Sequence, residues 1–520
     1  MQNTRTAGCR FANLAGLVSL AAMAVLASPM PAAADQGTTQ PVSTHAARDA
    51  SDSSTGLPAV TPADLVQQYA QARLSGDFAA MEHFRPGYSF WQHVFSISDG
   101  SIAFGSATDG RLLAVFPARG DWSRQGVWED PTMKRLMAGQ RLATKLADRR
   151  DEVAQLLSGA AGPIVHNPTR GLFVAPNARR YGRFLEEWGL IYERFGVPAE
   201  IGLAQGLVES GLNGTVRSEA RAIGFCQWLS RNWNAMKRLS PHVIEGYNQT
   251  TQAPYCAAYL AILGTKYGSF IPALSEHHAG GTNVGRTISN GQWLGGENVR
   301  EYYFLGAAFT RDLRTLAPGS FSDVYGTYGP RSFYYAEMVF GNAARIREMM
   351  RTHDQVKIYA MRTTRSIPIS EVTRRTGLSV DEVRRYNPAL IKQVPARATL
   401  YLPTYVAAFG SNVTFWHRPP STTYATVLSE FLALDRPPQD WDSPAFVPVL
   451  RGFERRFRAT KTEEGTVMAT VLSYVASEIL TSGRAEILET FRNDPEIRRL
   501  FEQAVRARAA ALEASTKAQQ

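Results

Sequence analysis

The sequence predicts a mainly helical chain that is divided into several domains. Its 520 residues are enough for roughly two to four domains, and its apolar fraction is ordinary for globular protein. Apolar residues recur with helical spacing in long stretches such as 181–195, 255–267 and 467–480. Strand-like patterns are confined to 88–117 and 356–403. We therefore expect helices to form most of the fold, with two small α+β parts.

The N-terminus has the features of a secretory signal peptide. Residues 1–10 carry two arginines and no acid, residues 14–27 are an apolar run, and residues 32–34 are three alanines that suit a cleavage site. We predict a signal peptide over 1–34 and a flexible linker over 35–57. The mature chain would be periplasmic, without a stable membrane span. The alternative is an uncleaved anchor helix, although the apolar run is short for a span.

Residues 58–165 are predicted to form an N-terminal α+β accessory region. Helical, strand-rich and again helical patterns follow one another, over 63–81, 88–117 and 133–157. Asp-Gly pairs at 99–100 and 109–110 predict hairpin turns. The region shows no recognisable chemistry. Its larger side chains are expected to be core or interface residues, namely Trp91, His93 and Trp122.

One glutamate lies at the end of an otherwise apolar helix. Pro198 suits the first residue of this helix and Gly211 suits its end, which places Glu209 near the C-terminus. An apolar setting near the negative pole of the helix should make the carboxyl hold its proton more tightly. A general acid at neutral pH needs this property. The ordinary alternative is a solvated side chain at a helix end.

Three short segments indicate a family. Residues 209–211 read ESG, 222–228 read AIGFCQW and 276–281 read EHHAGG. In this order and spacing they resemble the lytic transglycosylase domain of the soluble lytic type, whose motifs are E-S-G, A-x-G-L-M/W-Q and A-Y-N-A-G. The third segment departs from the family, since His277 stands at the tyrosine and His278 at the asparagine.

The resemblance implies a goose-type lysozyme-like fold over 166–350 and the glycan strands of peptidoglycan as substrate. It implies that Glu209 acts first as general acid and then as general base. The MurNAc–GlcNAc β-1,4 bond would be cleaved without water, leaving 1,6-anhydro ends. No cofactor is implied. The family's substrate-contacting positions fall on Ser210, Gln227, His278 and Tyr302.

Two other functions remain open. A muramidase on the same fold would need a second carboxylate to hold a water, and Glu219, Glu276 or Glu297 could supply it. A non-catalytic peptidoglycan-binding protein would explain the altered third motif. Both alternatives keep the cell wall as partner, and the partners within the cell-wall machinery are unknown.

Charge and ligand patterns limit the other partners. The formal net charge is +10, and Arg5 and Arg10 contribute two of these charges, so the mature chain carries +8. This charge suits an anionic wall polymer, and no basic block with interleaved aromatic residues indicates nucleic acid. Adjacent histidines such as His277 and His278 diverge by about 100° on a helix. No other cysteines or histidines lie at the spacing typical of metal ligands, so these two histidines predict no metal site.

Two cysteines remain after signal cleavage, Cys226 and Cys256. In an oxidising compartment they could form a disulfide. Closing that loop would contribute about 3–4 kcal/mol in the chain-entropy model. Two buried free thiols are the equal alternative.

A strand, two helices and a second strand are predicted within 351–408. The first strand covers 356–361 and the first helix begins at Ile369. The second helix begins with 377–383, and the last strand covers 399–402. This order and the run GLSVDEVRRYNP resemble a LysM module, which implies recognition of N-acetylglucosamine in peptidoglycan. The usual Gly-Asp-Thr turn is replaced by residues 362–364, so a spacer of the same shape is the alternative. Residues 409–520 are predicted to form a helical C-terminal region without chemistry of its own.

Overall fold

The computed structural model describes residues 60–122, 124–316, 318–325, 330–406, 409 and 414–519. The predicted signal peptide (1–34) and linker (35–57) lie outside these residues. The described part of the chain is mainly helical, which confirms the predicted fold class at this level. Within it, no helix combines the length and the apolar character needed to cross a membrane.

The N-terminal region consists of three helices and a four-stranded antiparallel sheet. Its elements are α1 (Pro62–Phe84), α2 (Trp91–Ser96), β1 (Ser101–Ser106), β2 (Leu112–Pro117), β3 (Val127–Trp128), α3 (Leu146–Ala161) and β4 (Ile164–Pro168). The strand order is β3-β2-β1-β4. The turn predicted at 109–110 joins β1 to β2. The domain boundary predicted at 165 falls inside β4, which pairs with β1.

The prediction of strands from residue 88 onward is wrong for its first part. Residues 86–90 form a 3-10 helix, and α2 follows directly. The buried side chains recur with helical spacing, and they are Phe90, Trp91, Val94 and Phe95. Their burial outweighs the strand preference of aromatic residues. The predicted turn at 99–100 therefore leads from α2 into β1 and joins no pair of strands.

The predicted helix over 133–157 is also shorter in the structure. Residues 131–137 form a 3-10 helix, and α3 begins only at Leu146. Gly139 lies between them with a φ of 73°, a left-handed conformation that interrupts a right-handed helix. Trp91 and Trp122 are buried as expected, and His93 is half-buried.

The part of the chain from residue 171 to 352 is largely helical and contains α6. The elements are α4 (Gly171–Tyr181), α5 (Leu185–Glu193), α6 (Ala199–Ser210), β5 (Ala222–Ile223), β6 (Trp228–Leu229), α7 (Ser230–Leu239), α8 (Gln249–Tyr267), α9 (Phe270–Ala279), α10 (Gly281–Trp293), α11 (Val299–Leu316), α12 (Pro318–Tyr325) and α13 (Tyr335–Thr352). Helix α6 begins after Pro198 and ends at Gly211, whose φ is 60°. Packed against α5 and α13, it is buried along almost its whole length.

Residues 358–403 contain the predicted strand, two helices and strand, together with two further short strands that were not predicted. The elements are β7 (Ile358–Arg362), β8 (Ile367–Pro368), α14 (Ile369–Thr376), α15 (Val380–Tyr386), β9 (Gln393–Val394) and β10 (Thr399–Pro403). The outer strands β7 and β10 pair antiparallel. Met361 and Leu400 join Val372 and Val383 of the two helices in one small core. One face of the β7–β10 pair is therefore covered by its own helices.

The C-terminal helices pack on the rest of the chain. They are α16 (Thr422–Leu432), α17 (Pro438–Trp441), α18 (Val447–Ala459), α19 (Glu463–Ser482), α20 (Arg484–Asn493) and α21 (Pro495–Gln519). Helix α16 contacts α1, α19 contacts α7 and α8, α20 contacts α10, and α21 contacts α11. The C-terminal region thus packs both on α1 of the N-terminal region and on helices of the part that contains α6.

Candidate active site

Glu209 occupies the penultimate position of α6, and its side chain is only 13% exposed. The hydroxyl of Tyr335, at the start of α13, donates a hydrogen bond of 2.5 Å to Glu209 Oε1. Burial raises the pKa of Glu209 to about 7, against the lowering effect of that hydrogen bond. The carboxyl therefore titrates near neutral pH, where it can both give up and take back a proton.

Two histidines at the end of α9 face Glu209. His277 Nε2 lies 3.7 Å and His278 Nδ1 lies 3.9 Å from Glu209 Oε1. Trp228 Nε1 donates to His277 Nδ1 at 3.2 Å, so the proton of the neutral ring is on Nε2, which donates to the carbonyl of Cys226 at 2.8 Å. Burial lowers the pKa of His277 to about 4. The ring beside Glu209 is therefore uncharged at neutral pH.

Tyr335 also contacts the second histidine. Its ring and that of His278 stack, with centroids 4.4 Å apart and planes 6° from parallel. The side chain of His278 is 32% exposed, so it forms the solvent side of the group. Burial and the charge of Glu209 raise the pKa of Tyr335 well above its usual range. Because the hydroxyl keeps its proton and donates to Oε1, the proton of neutral Glu209 is left to Oε2.

The segment between β5 and β6 borders the site on one side. Gly224 has a φ of 78°, and a Cβ there would lie 2.0 Å from Gln252 Nε2, so this position requires glycine. Gln227 Nε2 donates to the carbonyls of Gly224 at 2.9 Å and Val216 at 3.2 Å. The amide nitrogen of Gln227 thus braces the loop, which is a different task from the substrate contact that the family motif predicts.

A disulfide joins this loop to α8. Of the two states that the sequence leaves open for Cys226 and Cys256, the structure contains the disulfide. The backbone carbonyl of Cys226 accepts the hydrogen bond from His277. The covalent link therefore holds in place the acceptor that orients the histidine next to Glu209.

Two predicted substrate contacts have other partners in the structure. The hydroxyl of Ser210 is completely buried and donates to the carbonyl of Gly206 at 2.9 Å. Successive residues of a helix are turned by about 100°, so the side chains of Glu209 and Ser210 leave α6 in different directions. Tyr302 donates to the carbonyl of Glu297 at 3.2 Å, within its own turn. Of the four predicted substrate-contacting residues, the structure places His278 beside the Glu209 carboxyl.

The structure also shows the surroundings of the three glutamates that were candidates for a second carboxylate. Glu276 is 4% exposed and contacts Lys266 Nζ at 2.9 Å and Arg484 Nη1 at 2.7 Å. Burial alone would raise the pKa of Glu276, but these two cations outweigh it and lower the pKa to about 2. Its carboxylate is therefore held in a buried ion-pair cluster. Glu219 and Glu297 are exposed to solvent.

Several residues of the site come from distant parts of the sequence. Tyr335 is 126 residues from Glu209, in the segment 333–338, which reads FYYAEM. The sequence signal available there was a tyrosine at the start of a predicted helix. Tyr474 of α19 stacks on Trp228 with ring centroids 6.0 Å apart. Arg484 of α20 completes the ion-pair cluster of Glu276. The C-terminal region therefore packs against residues that adjoin the site, which the sequence did not suggest.

Among the described residues, no group of three or more His, Cys, Asp or Glu side chains is arranged to hold a metal ion. The arrangement offers acid–base chemistry by one buried carboxyl. In comparisons with known proteins, no family model and no curated protein matches the chain.

Proposed function

We propose that the protein is a lytic transglycosylase of peptidoglycan in which Glu209 acts first as general acid and then as general base. The observation that carries the proposal is the buried Glu209 carboxyl, whose pKa of about 7 suits both proton transfers. The segments 209–211 and 222–228 resemble the family's motifs, and this resemblance implies the substrate class and a goose-type lysozyme-like fold for residues 166–350. The substrate is the MurNAc–GlcNAc β-1,4 bond of glycan strands.

In the first step, Glu209 transfers the proton on Oε2 to the oxygen between the two sugars. The bond between C1 of MurNAc and this oxygen breaks, and GlcNAc leaves with the new hydroxyl. The carbonyl oxygen of the muramyl acetamido group bonds to C1 in its place. Tyr335 stabilises the carboxylate that forms on Glu209, because its hydrogen bond to Oε1 is stronger when the acceptor is charged.

In the second step, the Glu209 carboxylate removes the proton from the C6 hydroxyl of the same sugar. O6 bonds to C1, the acetamido oxygen leaves C1, and a 1,6-anhydro end results. Glu209 is protonated again, and no water is consumed. A positive charge beside the carboxylate would oppose this second transfer by lowering its pKa. The neutral His277 avoids that effect.

The alternative of a muramidase on the same fold has less support. Hydrolysis by inversion needs a second carboxylate beside the attacking water. Glu276 is engaged with Lys266 and Arg484, and Glu219 and Glu297 are exposed. A non-catalytic wall-binding protein would have no need for a buried carboxyl that titrates near neutral pH.

The remaining parts of the proposal concern location and attachment. Residues 1–34 would direct export to the periplasm, where the chain could associate with the cell wall or the outer membrane. Residues 351–408 would act as a LysM-like module that holds the protein on glycan. The strand-helix-helix-strand order of β7, α14, α15 and β10 supports this part of the proposal.

Mass spectrometry of muropeptides released from purified peptidoglycan tests the proposal. We expect products that carry 1,6-anhydro ends and are one water lighter than hydrolytic products, and we expect none with Glu209→Gln. Reducing ends would assign the protein to the muramidases. Retained glycan binding without any release would make it a wall-binding protein.

A further inference from the structure

The N–H group of His277 lies between two possible acceptors. His277 Nε2 is 2.8 Å from the carbonyl oxygen of Cys226 and 3.7 Å from Glu209 Oε1. The first distance is that of a hydrogen bond, and the second is too long for one. The side chain of His277 is buried, so these two oxygens rather than bulk water compete for its N–H.

The choice between these acceptors affects how tightly Glu209 holds its proton. In the described part of the chain, the titratable side chains that face Glu209 are Tyr335 of α13 and His277 and His278 of α9. Tyr335 already donates to Oε1, and this contact lowers the pKa of Glu209 against the effect of burial. A second donor on the same carboxyl would lower that pKa further and leave less of the acid protonated at neutral pH.

Trp228 fixes the other end of the imidazole ring. Its indole Nε1 donates to His277 Nδ1 at 3.2 Å, so this ring nitrogen carries no proton. The ring is thus held at both ends, since Nδ1 accepts from Trp228 while Nε2 donates to Cys226. Without the contact from Trp228, the ring would be free to turn its N–H toward Glu209.

Trp228 is held in turn by aromatic rings from three helices. The ring centroid of Trp233 in α7 lies 4.7 Å from that of Trp228, and Tyr259 of α8 lies 4.9 Å away in a perpendicular arrangement. Tyr474 of α19 stacks on Trp228 at 6.0 Å, with the two planes 27° apart. Trp228 and Tyr474 are both buried, and all three distances are those at which aromatic rings attract each other. Tyr474 is the ring that the C-terminal region contributes.

We propose that Trp228 is a positioning residue for the Glu209 carboxyl and that Tyr474 gives the C-terminal region a share in this role. Trp228 keeps the N–H of His277 on the Cys226 carbonyl and so withholds it from Glu209. Tyr474 acts through Trp228, because it keeps the indole in the orientation that reaches Nδ1. These contacts are independent of a substrate, and only their consequence for the reaction rests on the proposed function.

The titration of Glu209 in the full mature chain tests this role without a substrate. Carbon NMR of labelled glutamate carboxyls follows the titration, and the signal is assigned by its loss in Glu209→Gln. Trp228→Phe keeps a buried ring but removes the donor, so the ionisation constant of Glu209 should rise about tenfold, as one added hydrogen bond to a charged group predicts. The proton signal of the His277 N–H should then follow the ionisation of Glu209. In the parent, where the acceptor is a carbonyl, this signal should change much less.

Tyr474 is tested by two variants that differ in the ring. Tyr474→Ala should change the Glu209 titration in the same direction as Trp228→Phe but by less, whereas Tyr474→Phe keeps the stacking ring and should match the parent. Combined with Trp228→Phe, Tyr474→Ala should add nothing, because it acts through the indole. An additive effect, or equal effects of Tyr474→Ala and Tyr474→Phe, would overturn the role of Tyr474.

Trp122→Phe is the matched control for Trp228→Phe. Trp122 is also buried, and its indole donates to the carbonyl of Pro117 at 2.6 Å, in the N-terminal sheet. An unchanged Glu209 titration in Trp228→Phe would overturn the proposal, and so would an equal change in Trp122→Phe. In the reaction, the high-pH limb of the kcat/KM profile should move to lower pH in Trp228→Phe. The proposed function fails by a different result, namely the absence of muropeptide release by the parent, whose NMR signals remain measurable.

Discussion

The hydroxyl of Tyr335 donates to Oε1 of Glu209 across 2.5 Å, and this contact assigns different tasks to the two carboxyl oxygens. Oε1 is an acceptor in both protonation states, since the pKa of Tyr335 is raised well above its usual range by burial and by Glu209. Oε2 is the atom that gains and loses the proton. Tyr335 is therefore a positioning residue for Glu209, and the two residues should be tested together.

Replacement of Glu209 by glutamine should abolish the release of muropeptides. The amide keeps the shape of the side chain but cannot transfer a proton, so the rate should fall at least about 10²-fold, the lower end for loss of a general acid. Release of soluble fragments from purified peptidoglycan measures this. Glu297→Gln is the control, because Glu297 is exposed and should be dispensable. Comparable losses in both variants would contradict the assignment.

Tyr335→Phe should move the pH dependence of the reaction upward. The hydrogen bond from Tyr335 lowers the pKa of Glu209, so its removal leaves burial unopposed and raises that pKa above about 7. The high-pH limb of the kcat/KM profile, which reports the protonated acid, should shift to higher pH. Tyr334→Phe is the control, because the hydroxyl of Tyr334 contacts Arg311 instead. A profile that keeps its shape in Tyr335→Phe would show that the contact does not tune Glu209.

The pKa of Glu209 also predicts how stability depends on pH. Its folded-state pKa of about 7 lies above the ordinary value of 4.5, so the folded state binds the extra proton. The resulting stabilisation is complete below pH 4.5 and is lost as the pH rises toward and through 7. Glu209→Gln imitates the neutral acid at every pH. It should therefore be more stable than the parent by about 3 kcal/mol at pH 8 and equally stable at pH 4.

Urea unfolding at both pH values measures this difference. Because other groups titrate equally in both proteins, the comparison isolates Glu209. A variant that is no more stable than the parent at pH 8 would mean that the carboxyl is not buried as described.

Removal of the disulfide should lower both stability and activity. Cys226 and Cys256 are 30 residues apart, and opening that loop should cost about 3–4 kcal/mol of unfolding free energy in the chain-entropy model. Activity should fall as well, since the carbonyl of Cys226 orients His277. The double variant Cys226→Ala/Cys256→Ala and the reduced parent should agree in urea unfolding. A stable but inactive variant would separate the two effects.

Arg484→Met should destabilise the protein far more than an equivalent change at the surface. It leaves the buried carboxylates of Glu276 and Asp442 to share Lys266, and breaking such a cluster costs about 3–5 kcal/mol. Arg499→Met is the control, since its ion pair with Glu496 is exposed to solvent and should contribute little to stability. Similar unfolding free energies for the two variants would contradict a structural role for the cluster.

Features that depend on neighbouring residues could be predicted from the sequence. The limits of α6 and the strand-helix-helix-strand order after residue 356 follow from local periodicity and from caps such as Gly211. The position of Glu209 in a buried helix follows from the same pattern. These predictions need no knowledge of which distant segments meet.

Features that depend on long-range contact could not be predicted. The segment around Tyr335 indicates a helix start but not a contact with Glu209, and nothing near Tyr474 indicates that it stacks on Trp228. Ser210 shows a second limit, because a motif names adjacent residues but does not say which of them faces the interior. Burial also decided the segment before β1, where aromatic residues with strand preference form helices.

Because Glu276 contacts Arg484, completion of the site depends on the timing of chain synthesis. The two residues are 208 positions apart, and His277 follows Glu276 directly. At about 5–20 residues per second, a ribosome needs about 10–40 s to reach the arginine after the glutamate. Early in that interval the nascent chain contains Glu209, His277 and His278. Tyr335 is added partway through, and Arg484 is added at the end. The candidate site is therefore completed only when synthesis of the chain is almost finished.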